Sequence, residues 1–347
     1  MRKRVIALAG AAAGIAAGVA AERAAVRKRH RTDPERDEEF GRRRGERSRK
    51  ITMDDGATIF IEEVGPPARA GVIFIHGSAL RTDLWHYQLD GIDGRRCIFF
   101  DMRGHGFSQP TGEEEFSVQR MAKDLDAIIA DCDLEEVVIV GHSIGGMIAL
   151  ELGSARPDLL GSPIKGIVLT NTTYRPPMET IAGGAAVARF ERLARRPLDL
   201  IGKQSQRIDY LRRIIRPSDA LFWGVSFAAF GPKASAKQID FTYDMLAETR
   251  SDVIFDLLKF YRAFDVRDKL TEITVPVLVI GGAHDRITLP EASRMIADHL
   301  PKSELHILED CGHMAMMERH EEFNQLVEQF CKETLGKVAR RKQKVST

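Results

Sequence analysis

From residue 51 onward the chain alternates short, nearly unbroken apolar runs with longer stretches in which apolar residues return every three or four positions. Runs at 58–63, 72–75, 97–100, 137–140, 167–170, 277–280 and 305–308 predict strands. Most of them lack polar alternation, which is the pattern of parallel strands covered on both faces. Segments 118–130, 144–155, 291–299 and 321–334 carry helical spacing and fall between those strands. The order predicts an α/β fold with a mostly parallel central sheet flanked by helices. One interval breaks the alternation. Between residues 170 and 275 nothing reads as a buried strand, whereas 186–193, 208–215, 239–248 and 253–264 read as helices. A structureless loop of that length is foreign to a compact domain, so the interval is a helical insertion. Its aromatic residues, Phe222, Trp223, Phe227, Phe230, Phe241, Tyr243 and Phe260 among them, are expected mainly to pack it together, with a minority lining an apolar cleft beside the sheet.

The ends of the chain follow other rules. Met1-Arg-Lys-Arg4 precedes an uncharged run at residues 5–21, made mostly of alanine and glycine and slightly short of a spanning helix. Three readings stay open for it: a membrane anchor, a cleaved signal peptide, or a helix that touches a surface. The cations beyond it, Arg27-Lys-Arg29 foremost, disfavour export and would keep the rest of an anchored chain cytoplasmic. Residues 31–50 are dense in both charge signs and read as a solvated linker. The division expected is therefore segment and linker at 1–50, core at 51–172, helical cap at 173–267, core again at 268–335 and a basic tail at 336–347.

A formal net charge of +1 over 347 residues argues against nucleic acid as the main partner. Cys97, Cys132, Cys311 and Cys331 are scattered without a CxxC pair, so neither a zinc site nor a disulfide scaffold is suggested. Their reduced form weakly favours a reducing compartment.

The chemistry starts at Gly141-His-Ser-Ile-Gly-Gly146, where a buried strand runs straight into a serine flanked by glycines. That is the nucleophile-elbow pattern. It holds the Ser143 hydroxyl clear of its own backbone on a strained turn, with the following helix aiming its first amides at the same point. Such a serine needs a base and a group that orients the base, both on loops after later strands. Asp285 follows the run at 277–280, and His313 follows the run at 305–308. Other candidates fit lesser roles. His142 should point away from the site, His76 and His105 should brace loops, and His284 suits a rim. Asp101 should bind neighbouring loop amides, while Glu309 and Asp310 lie too close to His313 to reach its far nitrogen. The Met314–Met317 run suits packing, with an entrance lining as the alternative.

The chain resembles the alpha/beta-hydrolase superfamily in its cap-bearing branch, over roughly residues 51–334. The resemblance rests on Ile75-His-Gly77, Asp101-Met-Arg-Gly-His-Gly-Phe-Ser108, the elbow, Gly281-Gly-Ala-His-Asp285 and Cys311-Gly-His313. It implies Ser143 as nucleophile, His313 as base and then acid, and Asp285 as the carboxylate that fixes the imidazole. It also implies an oxyanion hole from the backbone amides of Ser78 and Ile144. Serine rather than aspartate at the elbow disfavours haloalkane dehalogenases and epoxide hydrolases, and His76-Gly-Ser-Ala-Leu80 lacks the glycine-rich extension of hormone-sensitive lipases. The expectation is hydrolysis of a small-to-medium apolar carboxylic ester with no metal or organic cofactor. Acyl transfer, thioester or lactone cleavage, cofactor-free perhydrolysis, a membrane-associated lipase and a ligand receptor on the same fold remain as alternatives.

Overall fold

A computed structural model describes residues 20–109, 116–184 and 219–336. Its centre is an eight-stranded sheet in the order β1-β2-β4-β3-β5-β6-β7-β8. The strands are β1 Arg47–Thr52, β2 Thr58–Val64, β3 Ala70–Ile75, β4 Arg96–Phe100, β5 Glu136–His142, β6 Ile164–Thr170, β7 Val277–Gly282 and β8 Ser303–Leu308. β2 is antiparallel to both its neighbours, and every pairing from β4 through β8 is parallel. All seven apolar runs are strands.

Because successive side chains on a strand point to opposite faces, an unbroken apolar run fills two cores at once. Ile73 and Ile75 of β3 and Val137 and Ile139 of β5 face the helices Val118–Asp131 and Ile144–Ala155. Val72 and Phe74, with Val138 and Val140, face the other side, where the helix His320–Thr334 contributes Phe323 and Val327. Phe74 stacks on Phe99 with ring centres 4.7 Å apart and meets Trp85 edge-on. Chain order reverses between β3 and β5, since β4 lies on one side of this pair and β6 to β8 on the other. Such a reversal opens a crevice at the carboxyl ends of the two strands, the usual binding place in open α/β sheets.

The insertion is helical where it is described. Between β6 and β7 lie Asp219–Ala229, Ala236–Glu248 and Ser251–Phe260. The helix expected at 239–248 begins three residues earlier because the Ser235 hydroxyl accepts from the amides of Lys237 and Gln238. Asp219–Ala229 carries no amphipathic spacing and was not expected. The helices expected at 186–193 and 208–215 lie outside the described residues.

Residues 31–50 correct the expectation of a solvated linker. Residues 20–31 are helical, and the charges that follow take fixed partners on the folded body. Asp33 is buried and accepts from the Ser235 hydroxyl at 2.9 Å and the Lys237 amide at 2.7 Å. Tyr87 and Gln238 both donate to Glu35, and Glu38 meets His86 at 2.8 Å. Phe40 stacks on Phe241. The strand β1 was hidden for a related reason. It is a charged edge strand, Arg-Ser-Arg-Lys-Ile-Thr, held by backbone pairing to β2 rather than by burial.

One ion pair joins the loop after β4 to the helix Val118–Asp131. Arg103 has no exposed side chain; it grips Asp124 through two hydrogen bonds of 2.7 and 2.8 Å and reaches Asp55 at 2.9 Å. Removing one partner of such a buried pair strands the other charge, at a cost of about 3–5 kcal/mol. Asp124→Ala is therefore expected to lower unfolding free energy by about that amount, read from urea denaturation. A loss below 1 kcal/mol would show that Asp55 and water suffice for Arg103.

Candidate active site

β5 ends at His142, and Ser143 turns the chain into the helix Ile144–Ala155. The turn requires φ 55° and ψ −118° at Ser143, a region costly for any residue with a side chain. Hydrogen bonds hold it there. The Ser143 amide donates to Thr170 at 3.0 Å, and its carbonyl accepts from the Thr172 hydroxyl at 2.6 Å and from the amides of Gly146 and Met147. The glycines serve contact rather than flexibility. A Cβ at Gly141 would lie 2.4 Å from the Gly145 carbonyl oxygen, and one at Gly145 would lie 2.3 Å from that of Ile75. The first turn of the helix is thereby pressed on the end of β3. Ile144, its first residue, has an amide without an intrahelical acceptor, and the residues after β3 are His76, Gly77 and Ser78.

Ser78 and Ser143 are partly exposed in a stretch whose neighbours are buried. Around Ser78, Ala79 sits at φ 58°, with its amide donating to His105 Nε2 at 3.1 Å and its carbonyl accepting from the Thr249 hydroxyl at 3.0 Å. One residue of the insertion, Thr249, thus holds the loop expected to carry one oxyanion donor.

Asp285 and His313 meet directly, Oδ2 to Nδ1 at 2.8 Å, on the loops after β7 and β8. The carboxylate is buried and accepts further bonds from the Ile287 and Thr288 amides, the Thr288 hydroxyl and Asn171 Nδ2, all between 2.8 and 2.9 Å. Burial by itself raises this carboxyl; the His313 charge and the hydrogen bonds outweigh it and hold Asp285 below the ordinary carboxylate range. His313 and Ser143 are tied through their neighbours. His142 Nε2 lies 2.9 Å from the His313 carbonyl, and the two rings are 4.7 Å apart. Among the described residues no hydrogen bond joins the Ser143 hydroxyl to the imidazole.

The remaining histidines brace loops. His76 binds the Met102 amide and the Gly77 carbonyl, and His105 binds the Ala79 amide and the Arg103 carbonyl. Burial, aided by neighbouring histidines, drives His76 well below the ordinary imidazole value and His142 down to about 3; burial alone takes His105 to about 4. All three stay neutral. Asp101 accepts the Thr82 and Phe107 amides, each at 2.7 Å, while burial pushes it up to about 6. Met314, Met316 and Met317 are buried, which settles that run as packing.

Sequence reasoning missed four residues. Asn171 and Thr172 follow β6, and a polar cluster at the carboxyl end of a central strand was a signal that could have found them. Thr288 lies three residues past Asp285. Glu318 had no signal: it is a lone acid after an apolar run, yet its carboxylate accepts the amides of Gly312 at 2.9 Å, Met314 at 3.3 Å and Gly231 at 2.7 Å. It therefore clasps both sides of His313 and links them to the end of the insertion helix Asp219–Ala229, whose Ala229 carbonyl accepts the His313 amide.

Known proteins are similar over the same span. The AB hydrolase superfamily protein YisY of Bacillus subtilis is 28% identical over 285 residues, covering 81% of this chain and 97% of its own. The non-heme chloroperoxidase CPO-A1 of Kitasatospora aureofaciens is 27% identical over 273 residues, covering 76% and 90%. A thermophilic esterase from Thermogutta terrifontis superposes with a TM-score of 0.66 at 22% identity, covering 83% of this chain and 99% of that one, a likeness of fold. The family model described as alpha/beta hydrolase fold matches residues 72–320, from β3 through the start of the last helix, and the chain belongs to that family.

Proposed function

We propose that this chain is a serine hydrolase that cleaves a small-to-medium apolar carboxylic ester through an acyl-enzyme on Ser143. The 2.8 Å Asp285–His313 pair, beside a serine held at φ 55°, carries the reading. In the first step His313 takes the Ser143 proton as the hydroxyl oxygen attacks the ester carbonyl. The tetrahedral oxyanion is stabilised by the amides of Ile144 and Ser78, and collapse releases the alcohol, protonated by His313. In the second step His313 takes a proton from water, which attacks the acyl carbon and frees the acid and Ser143. Asp285 fixes the imidazole with Nδ1–H toward itself and Nε2 toward the serine; the serine–imidazole bond tightens when substrate fills the crevice. Residues 173–267 act as a cap, a role supported by the bond from Thr249 to the Ser78 loop. The chloroperoxidase relative favours one second reading, in which hydrogen peroxide replaces water as acyl acceptor and yields a peracid.

Ser143→Ala is expected to abolish hydrolysis of nitrophenyl esters, and Asp285→Asn to lower kcat by about 10³- to 10⁴-fold with the fold intact. A burst of nitrophenol ahead of the steady state, present in wild type and absent from Ser143→Ala, checks the acyl-enzyme. Retained activity in Ser143→Ala would end the proposal. Peracid formation with added peroxide, compared with acid formation, separates the second reading.

Glu318 generates a further expectation. Burial pushes its carboxyl up to about 7 in spite of the amides it accepts. The folded state therefore holds this proton more tightly than the unfolded chain does. The stability so gained is full below the ordinary glutamate range and is lost as pH rises through about 7. Glu318→Gln lacks that titration, so the stability difference between wild type and variant should fall by at most about 1.4 kcal/mol per pH unit between pH 5 and pH 7. The amide also offers one oxygen where the carboxylate offers two, which loosens the His313 loop. A drop in kcat of about tenfold with little change in KM is expected; a pH-independent stability difference would contradict the assignment.

A further inference from the structure

The helix Asp219–Ala229 is the least ordinary surface of the molecule. From residue 220 to residue 232 the sequence has no charged side chain, yet Leu221, Trp223 and Phe227 are 42%, 37% and 67% exposed. Gly224 and Ala228 are exposed beside them, while Phe222, Ser226 and Ala229 turn inward. At 100° per residue the exposed positions span an arc of about 160°, all of it apolar. A soluble surface helix normally gives such an arc to charged residues, and a contiguous exposed apolar face marks a contact site.

What surrounds the face points to its occupant. The Arg286 guanidinium lies 4.2 Å from the Phe227 ring centre, and that of Arg29 lies 5.7 Å from Trp223 and 5.5 Å from Phe222. Arg29 also donates to the Ser226 hydroxyl and the Ala234 carbonyl, which docks the helical residues 20–31 onto this helix. Arg27, Lys28 and Arg31 of that segment are exposed. Residues 1–31 hold eight Lys/Arg against one Glu, around the uncharged run at 5–21. Apolar rings with guanidinium groups over their faces, next to a cationic stretch, match the border between acyl chains and anionic headgroups. The same cations would repel a second copy of the chain. We propose that the exposed face of Asp219–Ala229 lies on an anionic phospholipid bilayer, together with the exposed cations Arg27, Lys28 and Arg31.

The chain carries its own probe. It has two tryptophans, Trp85 and Trp223, and Trp85 is fully buried. Full-length protein is co-sedimented with vesicles of brominated phosphatidylglycerol and phosphatidylcholine, and with phosphatidylcholine alone. Binding to the anionic vesicles that weakens with salt is expected, with bromine quenching of tryptophan emission that disappears in Trp223→Phe. Leu221→Glu/Phe227→Glu should reduce partitioning about tenfold or more. Ser143→Ala should bind like wild type, since this contact does not depend on the proposed reaction. Absence of binding, or binding in which Trp223 stays unquenched, would overturn the proposal. So would a lipid-free dimer that the double substitution dissociates, or a Trp223 already shielded from acrylamide in the lipid-free chain, because the face would then be occupied by another copy or by the chain's own N-terminus.

Discussion

The candidate site depends on one close approach, the first turn of the helix Ile144–Ala155 against the end of β3. Gly145 stands where any side chain would collide with the Ile75 carbonyl, and Gly141 where it would collide with Gly145 itself. That contact packs the strained turn at Ser143 against the end of β3, where His76-Gly-Ser78 begins. Gly77 extends the interlock, because a Cβ there would lie 2.7 Å from His142 Nδ1. Strain of this kind persists only where surroundings over-determine the conformation, and the bonds from Thr170 and Thr172 to Ser143 do so.

The loops around this contact are held by buried polar groups rather than by apolar packing. Neutral histidines at 76 and 105 each bind two backbone groups, His142 binds the His313 carbonyl, and Asp101, Asp285 and Glu318 each gather loop amides. A loop cannot bury its amides without acceptors, so these side chains let irregular backbone sit at the heart of the protein. They also divide the work between charge states. Asp285 is held ionised by its partners, whereas burial favours the proton on Asp101 and Glu318.

Residues 33–40 are bound to the described part of the insertion. Asp33, Glu35, Glu38 and Phe40 bind residues of the insertion and of the loop before β4, so a stretch composed like a linker acts as a strap. Through Ala229 and Gly231 the insertion continues into the His313 loop. A load on the outer face of Asp219–Ala229 is therefore one hydrogen bond away from the imidazole that the proposed chemistry uses.

The seven apolar strands along the chain, the elbow and the placement of Asp285 and His313 after their strands were legible in the sequence, because each is a local signal: an unbroken apolar run, or glycines and a reactive residue at fixed spacing. β1 was not, since an edge strand of mostly charged residues is held chiefly by pairing and leaves little apolar trace. The strap was hidden because composition reports how many charges a segment carries and not whether each has a partner. Glu318 and Asn171 acquire their roles only when loops distant in sequence converge. A short-range pattern can state which residue is reactive and which strand it ends; which amides and carbonyls surround it is decided by packing between elements, and that exists only in three dimensions.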